Sequence, residues 1–235
     1  MKINIAEELK NKIPEFSVIA YTMTVDNNST MDVDNLLLSI KEEYTNFIPL
    51  TEVVGIPKIK VSRDGYKKLG KDPSHTRLAC EALLRRVIKG DDLYRLGDII
   101  DLGNILSIMT MRSVCVVDLD KVVGDVTIRI GTKEDIYYGI NRGAINVDKI
   151  PLYTDNIGPF GNPTSDTDRT KVTSDTKNIL IMIICFNQDD MAEDEEKLLS
   201  LYQKYTNARN INKLEVRQND GKYIKFYKDN HEKRT

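Results

Sequence analysis

Three arginines, Arg63, Arg77 and Arg86, sit in the most cationic stretch of the chain. Between Lys58 and Lys89 there are ten Lys or Arg against three acids, although the 235-residue chain carries a formal charge of −2. A guanidinium donates two parallel hydrogen bonds in one plane, which suits phosphate oxygens. Charge segregated in this way gives one face a positive potential that draws in a polyanion. A solvated, salt-bridged helix face explains the same run, and Glu81, four residues before Arg85, is a ready partner for one cation. Downstream, Asn104 and Ser107 are polar positions within an apolar run. A buried asparagine must find partners or cost about 1–3 kcal/mol, so Asn104 either bonds nearby backbone or lines a pocket. Ser165, Asp166, Asp168, Arg169 and Thr170 close a run of turn-formers, IGPFGNPTSDTDRT, whose groups could bind phosphate or position water. Asp168 and Thr170 could equally satisfy loop backbone.

Other chemistry is thinly represented. His75, next to the turn at Asp72-Pro73-Ser74, reads as a surface or capping histidine, with a general-base role as the alternative. Cys80, Cys115 and Cys185 are odd in number and set among apolar neighbours, as buried reduced thiols are. Only His75 and His231 accompany them, and no Cys/His spacing matches a zinc site. A spatial pairing of Cys115 with His75 stays open. Gly-rich phosphate loops, GxSxG and HExxH are absent from the sequence, so neither a metal nor a cofactor is expected. No apolar run approaches the roughly 20 residues of a membrane span. The opening MKINIAEELKNKIPEF lacks a signal-peptide core, which gives the expectation of a cytoplasmic protein with no membrane partner.

The elements that must position these groups can be read in order. Ile5–Ile13 predicts a short helix stopped by Pro14. Phe16–Asp26 is a strand rich in β-branched and aromatic residues. A helix capped by Asp32 or Asp34 runs to Tyr44 on a stripe of Leu36, Leu37, Ile40 and Tyr44. Tyr66–Gly70 forms one or two helical turns, and Thr76–Lys89 a longer helix with Leu83, Leu84 and Val87 inward. Leu93–Thr110 is too evenly apolar for a surface helix and so is central. Val114–Val117 is a buried strand, Gly124–Ile130 a half-buried one, and residues 136–140 and 150–153 continue a β-rich region. Residues 156–170 read as loop. Residues 179–186, ILIMIICF, predict a strand covered on both faces. Acids at 189–196 open a helix to Thr206. Leu214–Val216 and Lys222–Tyr227 predict a hairpin across Asn219-Asp220-Gly221.

The run VDLDKVVGDVTIRI, preceded by IIDLGNILSI, resembles the tRNA-editing domain of the bacterial phenylalanyl-tRNA synthetase beta subunit. That family has a VVDxTNY segment, then PxHAFDxDKI, then a Gly and a strand ending in VR. The matching residues are Asp101, Asn104, Asp118, Asp120, Lys121, Gly124 and Arg129. The flanking segments YKKLGKDPSHTRLACEALLRRVIKG and SDTDRTKVTSDTKNILI are similar to freestanding proteins made of that B3/B4-type domain alone. The similarity runs from Arg63 to Phe186. The synthetase's editing histidine falls on Cys115 and its strand glutamate near Met182, so the synthetase's tyrosine-specific chemistry does not carry over.

The resemblance implies an α+β fold, with helices packed around a β-sandwich of unusual topology, over a single domain 1–235 with a C-terminal helix plus hairpin at 190–228. It implies hydrolysis of misacylated aminoacyl-tRNA in trans. The alternative is a tRNA- or amino-acid-binding module without turnover. In the hydrolytic reading Asn104 and Ser107 serve catalysis, with His75 in reserve to activate water. Cys115, Asp118, Ser165, Asp166, Arg169, Thr170 and Met182 line the substrate pocket, and Arg63, Arg77 and Arg86 hold RNA phosphate. The implied partner is the acceptor end of a misacylated tRNA, not DNA. Asn104 and the Ser165–Thr170 turn would share one cleft.

Overall fold

The helix expected over Ile5–Ile13 forms from Glu7 to Lys12, behind a strand that the pattern did not show. In this computed structural model, which describes residues 1–27 and 32–219, β1 (Ile3–Ala6) buries Ile3 and Ile5 before the short helix α1 (Glu7–Lys12) begins. Alternation of two isoleucines is a strand signal that the longer amphipathic reading had absorbed. β2 (Ser17–Thr24) follows as expected. α2 (Val33–Tyr44) is capped by Asp32, whose carboxylate accepts the Asn35 N–H at 2.9 Å. α3 (Pro57–Leu69) starts on a proline and stops at Gly70, whose φ of 87° is cheap only for glycine. It is longer than the two turns expected because its buried stripe includes Ser62 and Gly65, which break the apolar period.

α4 (Ala79–Ile88) and α5 (Asp98–Thr110) are each trimmed at the start relative to expectation. The strands β3 (Val114–Asp118), β4 (Val126–Ile130), β5 (Tyr138–Gly139), β6 (Gly143–Ala144) and β7 (Pro151–Thr154) come next. Inside the segment read as loop lie β8 (Pro159–Asn162) and β9 (Ser165–Asp166). Proline and glycine are depleted in strands, and strands this short carry little alternation. β10 (Asn178–Cys185), α6 (Met191–Thr206), β11 (Arg209–Lys213) and β12 (Val216–Asn219) complete the order. The expected hairpin partner at 222–227 lies outside the described residues. Within them β12 pairs parallel with β1.

Two sheets face each other. One has the order β12-β1-β4-β7-β8-β9 and the other β11-β2-β10-β3, with β5 and β6 as a separate two-stranded ribbon. β10 is central and explains its own composition. Leu180, Met182 and Ile184 point into the core between the sheets, while Ile179, Ile181 and Ile183 point at a second core. That second core is roofed by residues of α2, α4, α5 and α6. Burying each such side chain is worth about 1.5–3 kcal/mol, so a strand covered on both faces reads as one unbroken apolar run. The fold is α+β, a sandwich with helices on the outer face of one sheet.

Candidate functional site

The geometry of the site follows from one row of residues across the six-stranded sheet. Ile5 pairs with Ile128, Ile128 with Tyr153, Tyr153 with Gly161, and Gly161 with Asp166. Residues directly opposite share a face, and this face looks toward the other sheet. The row therefore changes from aliphatic to phenolic to bare backbone to carboxyl. Gly161 is required by the approach of its neighbours. A Cβ there would lie 2.7 Å from the Tyr153 ring and 2.8 Å from Asp166 Oδ1.

Across the gap, Cys115 on β3 pairs with Met182 on β10, and the Cys115 thiol faces the Asp166 carboxyl. Burial raises the Asp166 pKa to about 7, only partly opposed by the thiol. Burial pushes Cys115, Tyr153, Tyr137 and Tyr66 up as well, so these groups stay protonated near neutral pH. Tyr66 on α3 shares a hydrogen bond of 3.1 Å with the Thr164 hydroxyl, and Tyr137 donates its hydroxyl to the Ser165 carbonyl. The Tyr153 hydroxyl is buried without a partner, and Asn162 Nδ2 makes no well-formed hydrogen bond, its nearest interaction being with the Tyr137 hydroxyl. Asn162 Oδ1 is used, accepting the N–H groups of Thr164 at 2.9 Å and Ser165 at 3.1 Å. Unsatisfied buried polar atoms in a native fold call for an explanation.

The sequence-derived site residues divide between this interior and other places. Cys115, Met182, Ser165 and Asp166 are brought together. Asn104 and Ser107 are not. They lie on α5, which packs on the face of the four-stranded sheet carrying Val116 and Ile181, opposite the face of Cys115 and Met182. The single cleft expected to join Asn104 to the Ser165–Thr170 turn is therefore absent, with a sheet between its two halves. Ser107 is a buried structural group whose hydroxyl accepts the Val114 N–H at 3.1 Å. His75 stands in water and pairs with Asp72 at 2.8 Å. It does not meet Cys115, which is buried.

Asp118 and Arg169 hold turns together. Asp118 accepts the Thr176 hydroxyl at 2.8 Å and the Asp120 N–H at 3.1 Å, and pairs with Lys121. Arg169 is bidentate to Asp155 at 2.9 and 3.0 Å and also reaches the Lys121 and Gly158 carbonyls. Burial pushes the Asp155 pKa up, but Arg169 and three backbone N–H groups outweigh it, leaving the pKa below the usual value. Thr170 is buried with its hydroxyl unpartnered.

Most arginines of the cationic stretch are engaged by protein partners, whereas Lys60, Lys67, Lys68, Arg77 and Lys89 are exposed. Arg63, Arg77 and Arg85 converge on buried Glu81 at 2.8, 3.7 and 2.9 Å. Arg86 stacks on Tyr94, 4.0 Å from its ring centroid, and bonds the Asp92 carbonyl. Lys58 grips Asp194, which also takes buried Arg112 at 2.7 Å. The expectation that Arg63 and Arg86 reach outward for phosphate therefore meets inward and lateral contacts, because a buried acid and an aromatic ring offer them nearer partners. Arg77 keeps about half of its side chain, 51%, in water.

A protein-family model described as the B3/4 domain matches residues 61–218. This chain belongs to the B3/4 domain family. The match begins at α3 and reaches β12, so the family extends past the segment 63–186 over which motifs were legible. Among solved structures, the fold is similar to an N-terminal fragment of the phenylalanyl-tRNA synthetase beta subunit from Pyrococcus horikoshii, at 11% identity and a TM-score of 0.51 over 92% of this chain. This chain spans 51% of that one. No curated protein matches. Among the described residues no helix is long and apolar enough to cross a membrane.

In this B3/4 domain the polar groups missed by sequence reasoning are Tyr66, Tyr137, Tyr153 and Asn162. Tyr66 sits in an ordinary helix, Tyr153 and Asn162 in short strands and Tyr137 just before β5, places where a tyrosine reads as core. The available signal was weak: Tyr153 in a four-residue strand without a partner predicted for its hydroxyl, and Asn162 beside Pro163 at a turn.

Proposed function

We propose that this B3/4 domain accepts the aminoacyl group of a misacylated tRNA between its two sheets and hydrolyses the ester in trans. The observation that carries this reading is the polar interior beside Cys115: an Asp166 carboxyl without a counter-charge, a buried Tyr153 hydroxyl with no partner, and an Asn162 amide without a well-formed hydrogen bond. Polar groups left unpaired inside a core are costly, and a polar guest would satisfy them. An aminoacyl ester is already activated. Its hydrolysis needs a water held at the carbonyl and donors for the developing oxyanion, and little else. Asn162 Nδ2 and the Tyr153 hydroxyl are donors of that kind. Support for tRNA as the carrier comes from the family and from the likeness to a synthetase subunit fragment, with Arg77 as a water-facing cation.

A second reading has its own observation. The synthetase histidine position holds Cys115, whose thiol is kept protonated by burial, so it is no replacement base. That favours a module which binds an aminoacyl group without turnover. Incubation with a panel of misacylated tRNAs separates the two. Ester loss well above the buffer rate supports hydrolysis, and salt-sensitive tRNA binding without loss supports the module. Neither binding nor loss with any tRNA would overturn both.

A further inference from the structure

Five acids are buried among the described residues, and every one has a cation. Glu81 has three arginines, Asp101 has Arg95, Asp118 has Lys121, Asp155 has Arg169, and Asp194 has Arg112 and Lys58. Asp166, part-buried on an edge strand with its carboxyl turned to the interior, has none. Its carboxyl sits between Tyr153 and Cys115, and no Lys, Arg or His of the described residues pairs with it. A carboxylate taken out of water needs a counter-charge or it neutralises. The neighbours on every packed element, Tyr66 from α3, Cys115 from β3, Tyr137 from the segment before β5, and Tyr153 from β7, are neutral. None of them supplies the charge. The Tyr153 hydroxyl, buried in the same interior, is an unused acceptor as well as a donor.

From these groups we infer that Asp166 is the anchor for a primary ammonium group of the aminoacyl ligand, with the Tyr153 hydroxyl accepting a second of its N–H bonds. The inference rests on the aminoacyl reading above and adds to it a required feature of the guest. An ammonium has three donors and no acceptor, which fits a carboxylate and an unpartnered phenol oxygen lining one interior. Carboxyl-only or neutral guests leave the Asp166 charge uncompensated. Two sources share this chemistry: the α-ammonium of any amino acid and the side-chain ammonium of a lysine-like one. The Asp166 pKa of about 7 adds a pH signature. Binding weakens below neutrality as the carboxyl takes up a proton, and weakens again at alkaline pH as the ligand amine loses its own.

The test uses the full chain and non-hydrolysable 3′-aminoacylamino-3′-deoxyadenosines carrying alanine, tyrosine or lysine, each with and without α-N-acetylation, followed by calorimetry. An α-ammonium anchor predicts that acetylation weakens every analogue at least tenfold in the wild type. Asp166→Asn should then bind acetylated and free forms alike. A side-chain anchor predicts that only the lysyl analogue binds, acetylated or not, and that Asp166→Asn abolishes it. Equal binding of free and acetylated tyrosyl analogues to the wild type overturns the inference, as does an unchanged affinity in Asp166→Asn or no binding of any analogue. The acetylation comparison is made on the wild-type protein, so it does not depend on how the variant folds. Ester turnover is measured separately on aminoacyl-tRNA. Ammonium-dependent binding without turnover keeps the anchor and removes hydrolysis, whereas turnover indifferent to Asp166 does the reverse.

Discussion

Glu81 is withdrawn from water and Asp166 only partly so, and the groups that face their carboxyls could hardly differ more. Glu81, on a helix, is clamped by Arg63 and Arg85 within 3 Å and faced by Arg77 at 3.7 Å. Asp166, on a two-residue edge strand, meets a thiol and phenols. The first arrangement completes itself. It ties α3 to α4 and to the Leu50 carbonyl through Arg85, and leaves nothing for a ligand to supply. The second is complete only with a positive guest. What distinguishes a structural acid from a binding acid is thus whether the fold already supplies its counter-charge.

The largest expected effect is on the structural side. Glu81→Ala strands three guanidinium groups around an empty position, and loss of one partner of a buried pair typically costs about 3–5 kcal/mol. Urea unfolding measures this, and a loss under about 1 kcal/mol would mean that the two acids are less different than their contacts indicate.

Asp166→Asn should act in the opposite direction. Its folded pKa of about 7 lies above the unfolded value of about 3.9. Below the unfolded value both states are protonated and the group is neutral to stability. As pH rises the unfolded chain ionises first, so stability falls, and the deficit is complete above the folded pKa. The variant should therefore gain on the order of 2–4 kcal/mol at pH 8 and nothing near pH 4, as read by thermal melts across pH. A constant difference at all pH values would show that Asp166 is solvated.

The smallest stability effect belongs to Tyr153→Phe. Its hydroxyl has no partner to lose, so removal should be neutral or stabilising by up to about 1 kcal/mol, while weakening the unacetylated aminoacyl analogues several-fold. A clear destabilisation would reveal a structural role for that hydroxyl and blur the contrast with Glu81.

Much of the scaffold was readable because local rules and tertiary packing agree there. The Asp32 cap, the Gly70 stop, the strand at β2, the acidic start of α6 and the doubly covered β10 each follow from residues within one turn or one strand. Where local pattern and packing part company the reading fails. Ser62 and Gly65 hide the stripe of α3, and Pro159 and Gly161 disguise β8 as loop. The resemblance put Cys115 and Met182 at site positions, and the two pair in register across β3 and β10. Asn104 fell on the wrong side because helix position says nothing about which face of a sheet the helix covers.

The sequence by itself determined the family and most of the elements, along with the surplus of cations between Lys58 and Lys89, since these depend on residue order and composition. Tertiary structure decided which charges cancel. Arg63 and Glu81 are eighteen residues apart and meet, whereas no cation comes to Asp166, and only strand pairing set that carboxyl beside Tyr153 and Cys115. Electrostatic energy depends on distance and burial, and neither is a property of position along the chain.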